Sequence, residues 1–160
     1  MARNLIRAGH DVVGFNRSHG PVEAHVVDGG RAAGSVAEAV TGASVVITML
    51  PDSPDVLAVA DGEAGIFAAA KAGVLYIDMS TTRPDVAADL AARGTERGLR
   101  VLDAPVSGGE QGAIDGTLSI MVGGAAGDFE AAQLYLTALG KTIVHVGLSG
   151  GVRRSRRPTS

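Results

Sequence analysis

Val74-Leu75-Tyr76-Ile77-Asp78-Met79-Ser80-Thr81-Thr82-Arg83-Pro84-Asp85 holds one repeat of the fold. A short run, apolar up to its closing aspartate, passes into small polar residues and then into a helix start. An unbroken apolar run suits a strand covered on both faces, because a sheet with one wet face would alternate. Thr82 with Asp85, around Pro84, reads as a helix opening: a hydroxyl to cap, an acid in the first turn, and a proline where no N–H is needed. That helix is predicted to run through Leu90 and Ala91 and to stop at Gly94 or Gly98.

The same alternation extends in both directions. Strands are predicted over residues 12–15, 44–49, 74–78, 99–102, 118–122 and 142–146. Met1 already lies in an amphipathic helix that ends at Gly9. Ser35 with Glu38 forms a capping box before Ala39-Val40, and Gly42 supplies the stop. Ser53-Pro54 reads as N-cap and first helical position, and Asp128 opens a helix over 129–139 with Gly140 as its C-cap. Strands joined through single helices need right-handed crossovers. The predicted fold class is therefore α/β, a doubly wound, mostly parallel, Rossmann-like sheet.

Composition bounds the rest. The 160 residues, 46% of them hydrophobic, suffice for one domain with one core. With no cysteine, disulfides, thiolate zinc sites and cysteine nucleophiles are excluded. His10, His19, His25 and His145 lack metal-ligand spacing and are read as surface or strand-end residues, so no metal site is expected. No apolar run is long enough to cross a bilayer, and Met1-Ala2-Arg3-Asn4 lacks a secretory apolar stretch. A cytoplasmic protein with no membrane partner is the expectation. The net charge of −3 hides an asymmetry: residues 1–152 carry 10 Lys and Arg against 17 Asp and Glu, and the last eight add four arginines.

In such sheets ligands bind at the carboxyl ends of the strands. Those ends read Asn16-Arg17-Ser18, Met49-Leu50-Pro51-Asp52-Ser53, Asp78-Met79-Ser80-Thr81-Thr82 and Asp103-Ala104-Pro105-Val106-Ser107-Gly108-Gly109. The residue ending the second strand of a dinucleotide fold faces the adenosine ribose, and a nearby Arg accommodates a 2′-phosphate. Asn16 followed by Arg17 therefore argues for NADP, with NAD possible; a solvated turn is the alternative. Ser107-Gly108-Gly109, followed by Gly112, offers backbone N–H groups without Cβ obstruction, which suits a small carboxylate. A plain strand-to-helix turn is the competing reading. No Gly-rich turn of the G-x-G-x-x-G kind precedes Asn16, so the pyrophosphate anchor and a first strand are missing from the pattern, leaving the sheet an uncovered edge.

Taken in order, these segments resemble the β-hydroxyacid dehydrogenase family, which includes 3-hydroxyisobutyrate dehydrogenase and tartronate semialdehyde reductase. The resemblance spans residues 1 to about 151. It rests on Met1-Ala2-Arg3-Asn4-Leu5, Ala8-Gly9-His10, the four strand ends above, and Gly116-Thr117-Leu118 with Met121-Val122-Gly123-Gly124. It implies that Leu50, Pro51, Asp55 and Thr81 line the nicotinamide and ribose side of the cofactor. Asn16, Arg17 and Ser18 would take its adenosine end, and Ser107, Gly108 and Gly109 the substrate carboxylate. The implied reaction passes hydride between NADP and a small 3-hydroxy acid or its semialdehyde, with a family lysine as general acid/base. That lysine has no counterpart, since Lys71 is expected in a surface helix and Lys141 at the start of the last strand. No catalytic residue is assigned, and no turnover is expected of this chain. A non-catalytic nucleotide-binding module is the alternative.

The ends depart from the family. Residues 1–151 read as a partial nucleotide-binding domain that starts late, at an internal methionine. Residues 152–160 read as an aberrant basic tail, with the family's C-terminal helical domain and its homo-oligomer contacts not represented. A one-base shift near Gly151 would convert the tail to Gly-Gln-Thr-Val-Lys-Ala-Ala-Asn-Gln, restoring the lysine motif. A nucleic-acid partner is not expected: four arginines without aromatic interleaving sit on an acidic domain.

Overall fold

A computed structural model describes residues 2–16, 23, 25–50, 53–80 and 82–147. At its centre, β3 (Val45–Thr48), β4 (Leu75–Asp78) and β5 (Arg100–Asp103) run parallel and level, Thr48 opposite Asp78 and Asp78 opposite Asp103. Every residue of β4 is buried. Leu75 and Ile77 enter one core cluster, with Leu5 of α1 (Ala2–Arg7) and Ala132, Leu136 and Leu139 of α7 (Ala126–Leu139). Tyr76 enters the other. There it meets Val40 of α2 (Val36–Val40), Val56 of α3 (Ser53–Asp61), Phe67 of α4 (Ile66–Ala69) and Leu90 of α5 (Pro84–Glu96). Alternate residues thus face opposite helical layers. Fully burying each such side chain stabilises by roughly 1.5–3 kcal/mol, and only a run apolar at every position fills both layers.

After β5 the chain bends through Ala104-Pro105 into β6 (Val106–Ser107), then α6 (Gly109–Asp115). Next comes β7 (Leu118–Gly123), which runs antiparallel to β5 and β6 and parallel to β8 (Gly140–Gly147). The sheet is thus α/β and mostly parallel. It is also in two pieces. β1 (Val13–Gly14) and β2 (Arg31–Ala32) form a parallel pair of their own, unjoined to β3. Two-residue strands such as β2 and β6 are too short to show as hydrophobic runs, and neither was predicted.

Several local readings are corrected. Thr82 does not cap α5: Arg83 is the N-cap residue and makes no side-chain capping bond, its guanidinium pairing with Asp85, while the Thr82 hydroxyl turns to Asp78. Gly94 lies inside α5, where an added Cβ would meet Val101 Cγ2 at 2.5 Å, so its role is close helix–strand packing. Of the two predicted stops Gly98 holds: the helix ends at Glu96 with Arg97 as C-cap, and Gly98 follows at φ +83°. Asp128 is the third residue of α7 and bonds Arg100 across the sheet rather than opening the helix. The Ser35–Glu38 box forms, with Glu38 N–H donating to Ser35 Oγ at 3.1 Å; its return bond comes from Gly34 N–H rather than Ser35. Lys71 follows α4 in a turn instead of occupying a helix. His25 is buried, its Nε2–H donating to the Val12 carbonyl at 3.0 Å, because Gly14 and Gly30 leave room for the ring.

Candidate functional site

The level register of β3, β4 and β5 brings Thr48, Asp78 and Asp103 into one row at the carboxyl edge of the sheet. The loops that follow all leave from that edge. Thr48, Asp78, Ser80 and Thr82 are buried there, and a hydrogen-bonded network satisfies them. Thr48 Oγ1 donates to Asp78 Oδ1 at 2.9 Å. A hydroxyl carries one proton, so at 2.9 Å the Tyr76 O–H donates to Thr48. Asp78 Oδ1 also accepts the Ser80 N–H at 3.0 Å, and Ser80 Oγ accepts the Leu50 N–H at 2.8 Å. Burial raises the Asp78 carboxyl above its usual range, against four hydrogen-bond contributions from Ser80, Thr48 and Thr82 that lower it. Burial, then the Asp78 charge, likewise pushes the Tyr76 hydroxyl up.

Leu50 is half-buried and packs against the second core cluster, so its side chain anchors its loop as well as lining the edge. Asp55, in the first turn of α3, shares a cleft of about 350 Å³ with Phe15, Val36, Ala58 and Val59. Phe15 directly precedes the exposed Asn16, so the cleft joins the end of β1 to α3 across the break in the sheet. Arg17, Ser18, Pro51 and Thr81 lie outside the described residues.

The third loop builds a different surface. Ser107 is exposed at the end of β6, opposite Ser119. Gly108 (φ +134°) and Gly109 (φ +64°) follow in the left-handed region, which turns the chain into α6. At Gly108 the backbone angle itself favours glycine, and a Cβ would stand 3.3 Å from Leu118 Cδ2, a tight contact with a movable side chain. The structure therefore places Leu50 on the loop after β3, Asp55 in the first turn of α3 and Ser107–Gly109 at the turn from β6 into α6, with Asn16 next to Phe15 of the cleft.

Neither lysine lies on those loops. Lys71 borders a second cleft with Gly42, Ala43, Ser44 and Val74, at the amino ends of β3 and β4. Lys141 is exposed on β8, with β7 between it and Ser107. No group of three or more His, Asp or Glu capable of holding a metal occurs among the described residues, nor does a helix long and apolar enough to cross a membrane.

Sequence reasoning missed Thr48, Tyr76, Asp78 and Ser80 as a connected unit. The available signal was polar residues closing two runs that are otherwise apolar. It also missed Phe15, Val36, Ala58 and Val59, which only tertiary packing brings to Asp55.

The curated relatives cover the same stretch. An NAD-dependent L-serine dehydrogenase of Pseudomonas aeruginosa is 43% identical over 150 residues, spanning 94% of this chain and 50% of that protein. A 2-hydroxy-3-oxopropionate reductase of Escherichia coli is 42% identical over 151 residues, 94% of this chain and 51% of its own length. Among solved structures, Mycobacterium tuberculosis 3-hydroxyisobutyrate dehydrogenase with L-serine superposes with a TM-score of 0.91 at 35% identity, covering 97% of this chain and 52% of that one. The chain thus spans about half the length of the curated relatives it matches. The resemblance to β-hydroxyacid dehydrogenases and the Rossmann-like fold are both upheld. Residues 1–147 match the family described as the NAD binding domain of 6-phosphogluconate dehydrogenase, and the chain belongs to that family.

Proposed function

We propose that this chain is the nucleotide-binding part of an NADP-preferring oxidoreductase that interconverts a small 3-hydroxy acid and its semialdehyde. The observation that carries the reading is the carboxyl edge where Thr48, Asp78 and Asp103 finish level, so that the chain following β3, the chain following β4 and the chain leading to Ser107–Gly109 all leave from it, with the Phe15–Asp55 cleft lined from α3. A cofactor fits what is present: Phe15, Val36, Ala58 and Val59 give the cleft flat apolar walls suited to an adenine, with Asn16 next in sequence. Arg17 would face the ribose 2′-phosphate. Leu50, Pro51, Asp55 and Thr81 would line the nicotinamide and ribose side of the cofactor, Asp55 reaching it from the rim of the same cleft, and Ser107, Gly108 and Gly109 would hold the substrate carboxylate. When bound, the nicotinamide supplies or accepts the hydride.

Relatives that act on L-serine and on 2-hydroxy-3-oxopropionate support a short hydroxy acid or semialdehyde as substrate. NADP is preferred on Asn16-Arg17 alone, and the NAD-dependent relative makes the choice worth testing. Isothermal titration should give tighter binding of NADPH than of NADH, and Arg17→Asp should reverse the order by removing the phosphate partner and supplying a ribose acceptor. Equal affinities in both proteins would defeat the NADP assignment. Binding of neither cofactor would defeat the nucleotide reading for this chain.

A second reading, binding without turnover, is favoured by the positions of Lys71 and Lys141 away from the loops. No reduction of 2-hydroxy-3-oxopropionate by NADPH is expected from this chain.

A further inference from the structure

We propose that Asp78 is the positioning residue for the nicotinamide-side loops, a reading that rests on the nucleotide site proposed above. Its carboxylate holds two loops at once. Oδ1 takes the Thr48 hydroxyl, from the last residue of β3, and the Ser80 N–H, from the loop after β4. Oδ2 takes the Thr82 hydroxyl at 3.5 Å. Ser80 in turn receives the Leu50 N–H, and Ser53 Oγ receives the Arg83 N–H at 3.2 Å, tying the start of α3 to the entry of α5. Leu50, assigned to the cofactor, carries the N–H that Ser80 receives, and Thr81 stands in the sequence between Ser80 and Thr82.

The fold alone gives no reason for a carboxylate there. Asp78 is 3% exposed, and among the described residues its carboxylate is bonded by hydroxyls and a backbone N–H and by no cation. A well-packed apolar side chain would be cheaper to bury, whereas an acceptor-only group fixes several donors in one geometry. Ser80 relays that hold to a backbone N–H in the neighbouring loop, which no apolar residue could do. Two segments joined to different strands are therefore locked into one surface before any ligand arrives, so binding need not supply their ordering entropy.

The test uses the full 160-residue chain with Asp78→Asn, which keeps size and removes the charge, and Thr48→Ser, which keeps the hydroxyl. Amide exchange by NMR should become about tenfold faster at Leu50 and Ser80 in Asp78→Asn, the factor that a loss of roughly 1.4 kcal/mol produces. Ile77 and Leu102 should be unchanged, and Thr48→Ser should match the wild type. Nicotinamide mononucleotide should bind more weakly to Asp78→Asn, while 2′,5′-ADP, which needs only the adenosine end, should bind as before. Acceleration spread evenly over β4 and β5, no acceleration at Leu50 and Ser80, or equal losses for both half-ligands would overturn the proposal. If Asp78→Asn fails to fold, Thr48→Val reads the same ties at Leu50. Should the wild type bind neither half-ligand, the nucleotide reading falls, and amide exchange alone decides whether Asp78 fixes the loops.

Discussion

Asp78 shows how one residue can serve the ligand edge at a cost to the fold. Burial raises its carboxyl above the ordinary value of 3.8, so the folded state holds the proton more tightly than the unfolded chain. Below 3.8 both states are protonated and the group is stabilising at its full extent; as pH rises through the folded value, ionising a buried group removes that contribution. Asp103 lies opposite on β5 and is also buried, while Tyr76, its hydroxyl pushed up by burial and by the Asp78 charge, stays an uncharged phenol between pH 4 and neutrality. The melting temperature of the wild type minus that of Asp78→Asn should therefore fall as pH is raised from 4 towards neutrality. A difference that grows over this range in circular-dichroism melts would show that the hydrogen bonds outweigh burial.

At the scale of elements, α5 lies against β5 only because Gly94 presents no side chain to Val101. Alanine favours a helix interior by about 1 kcal/mol, but a Cβ at 2.5 Å from a β-branched side chain forces a backbone shift costing about 1–3 kcal/mol. Gly94→Ala should lower the urea midpoint. Gly127→Ala, in the first turn of α7 with nothing within 4 Å of the added Cβ, should leave it unchanged or raise it. If both variants shift the same way, helix propensity rather than packing governs these sites. The contrast could not be read from the sequence, where Gly94 resembles a helix stop; its meaning depends on Val101 of the following strand and on Phe67, 27 residues earlier.

Over the whole molecule, the break between β1 and β3 divides stability unevenly. The β1–β2 pair joins two residues on each side, and the strands of the larger sheet bear most of the core. Local opening follows such differences in buried contacts and shared hydrogen bonds. In hydrogen-exchange mass spectrometry, residues 11–16 and 30–34 should exchange well before 74–79 and 99–104. Simultaneous exchange would mean that the two sheets open as one cooperative unit. Because Asn16 and Phe15 sit on the weaker piece and Asp55 on the stronger, a ligand bridging them should slow exchange most at 11–16.

What the sequence by itself determined was the repeating order of buried strand, polar turn and helix, and with it the family and the edge that carries the ligand loops. Those features are local: an unbroken apolar run demands cover on both faces, and Gly, Pro and hydroxyl residues mark where a strand gives way to a helix. The antiparallel course of β7, the separation of β1–β2 from β3, and the network from Tyr76 through Thr48 and Asp78 to Leu50 were decided only by the tertiary structure. Each depends on strand register, and register is set by how whole faces pack. Thr48, Asp78 and Asp103 are far apart in the chain, and nothing in any one segment states that they finish level. The buried carboxylate became legible as a clamp once packing had brought donors from the end of β3 and from the loop after β4 to its two oxygen atoms.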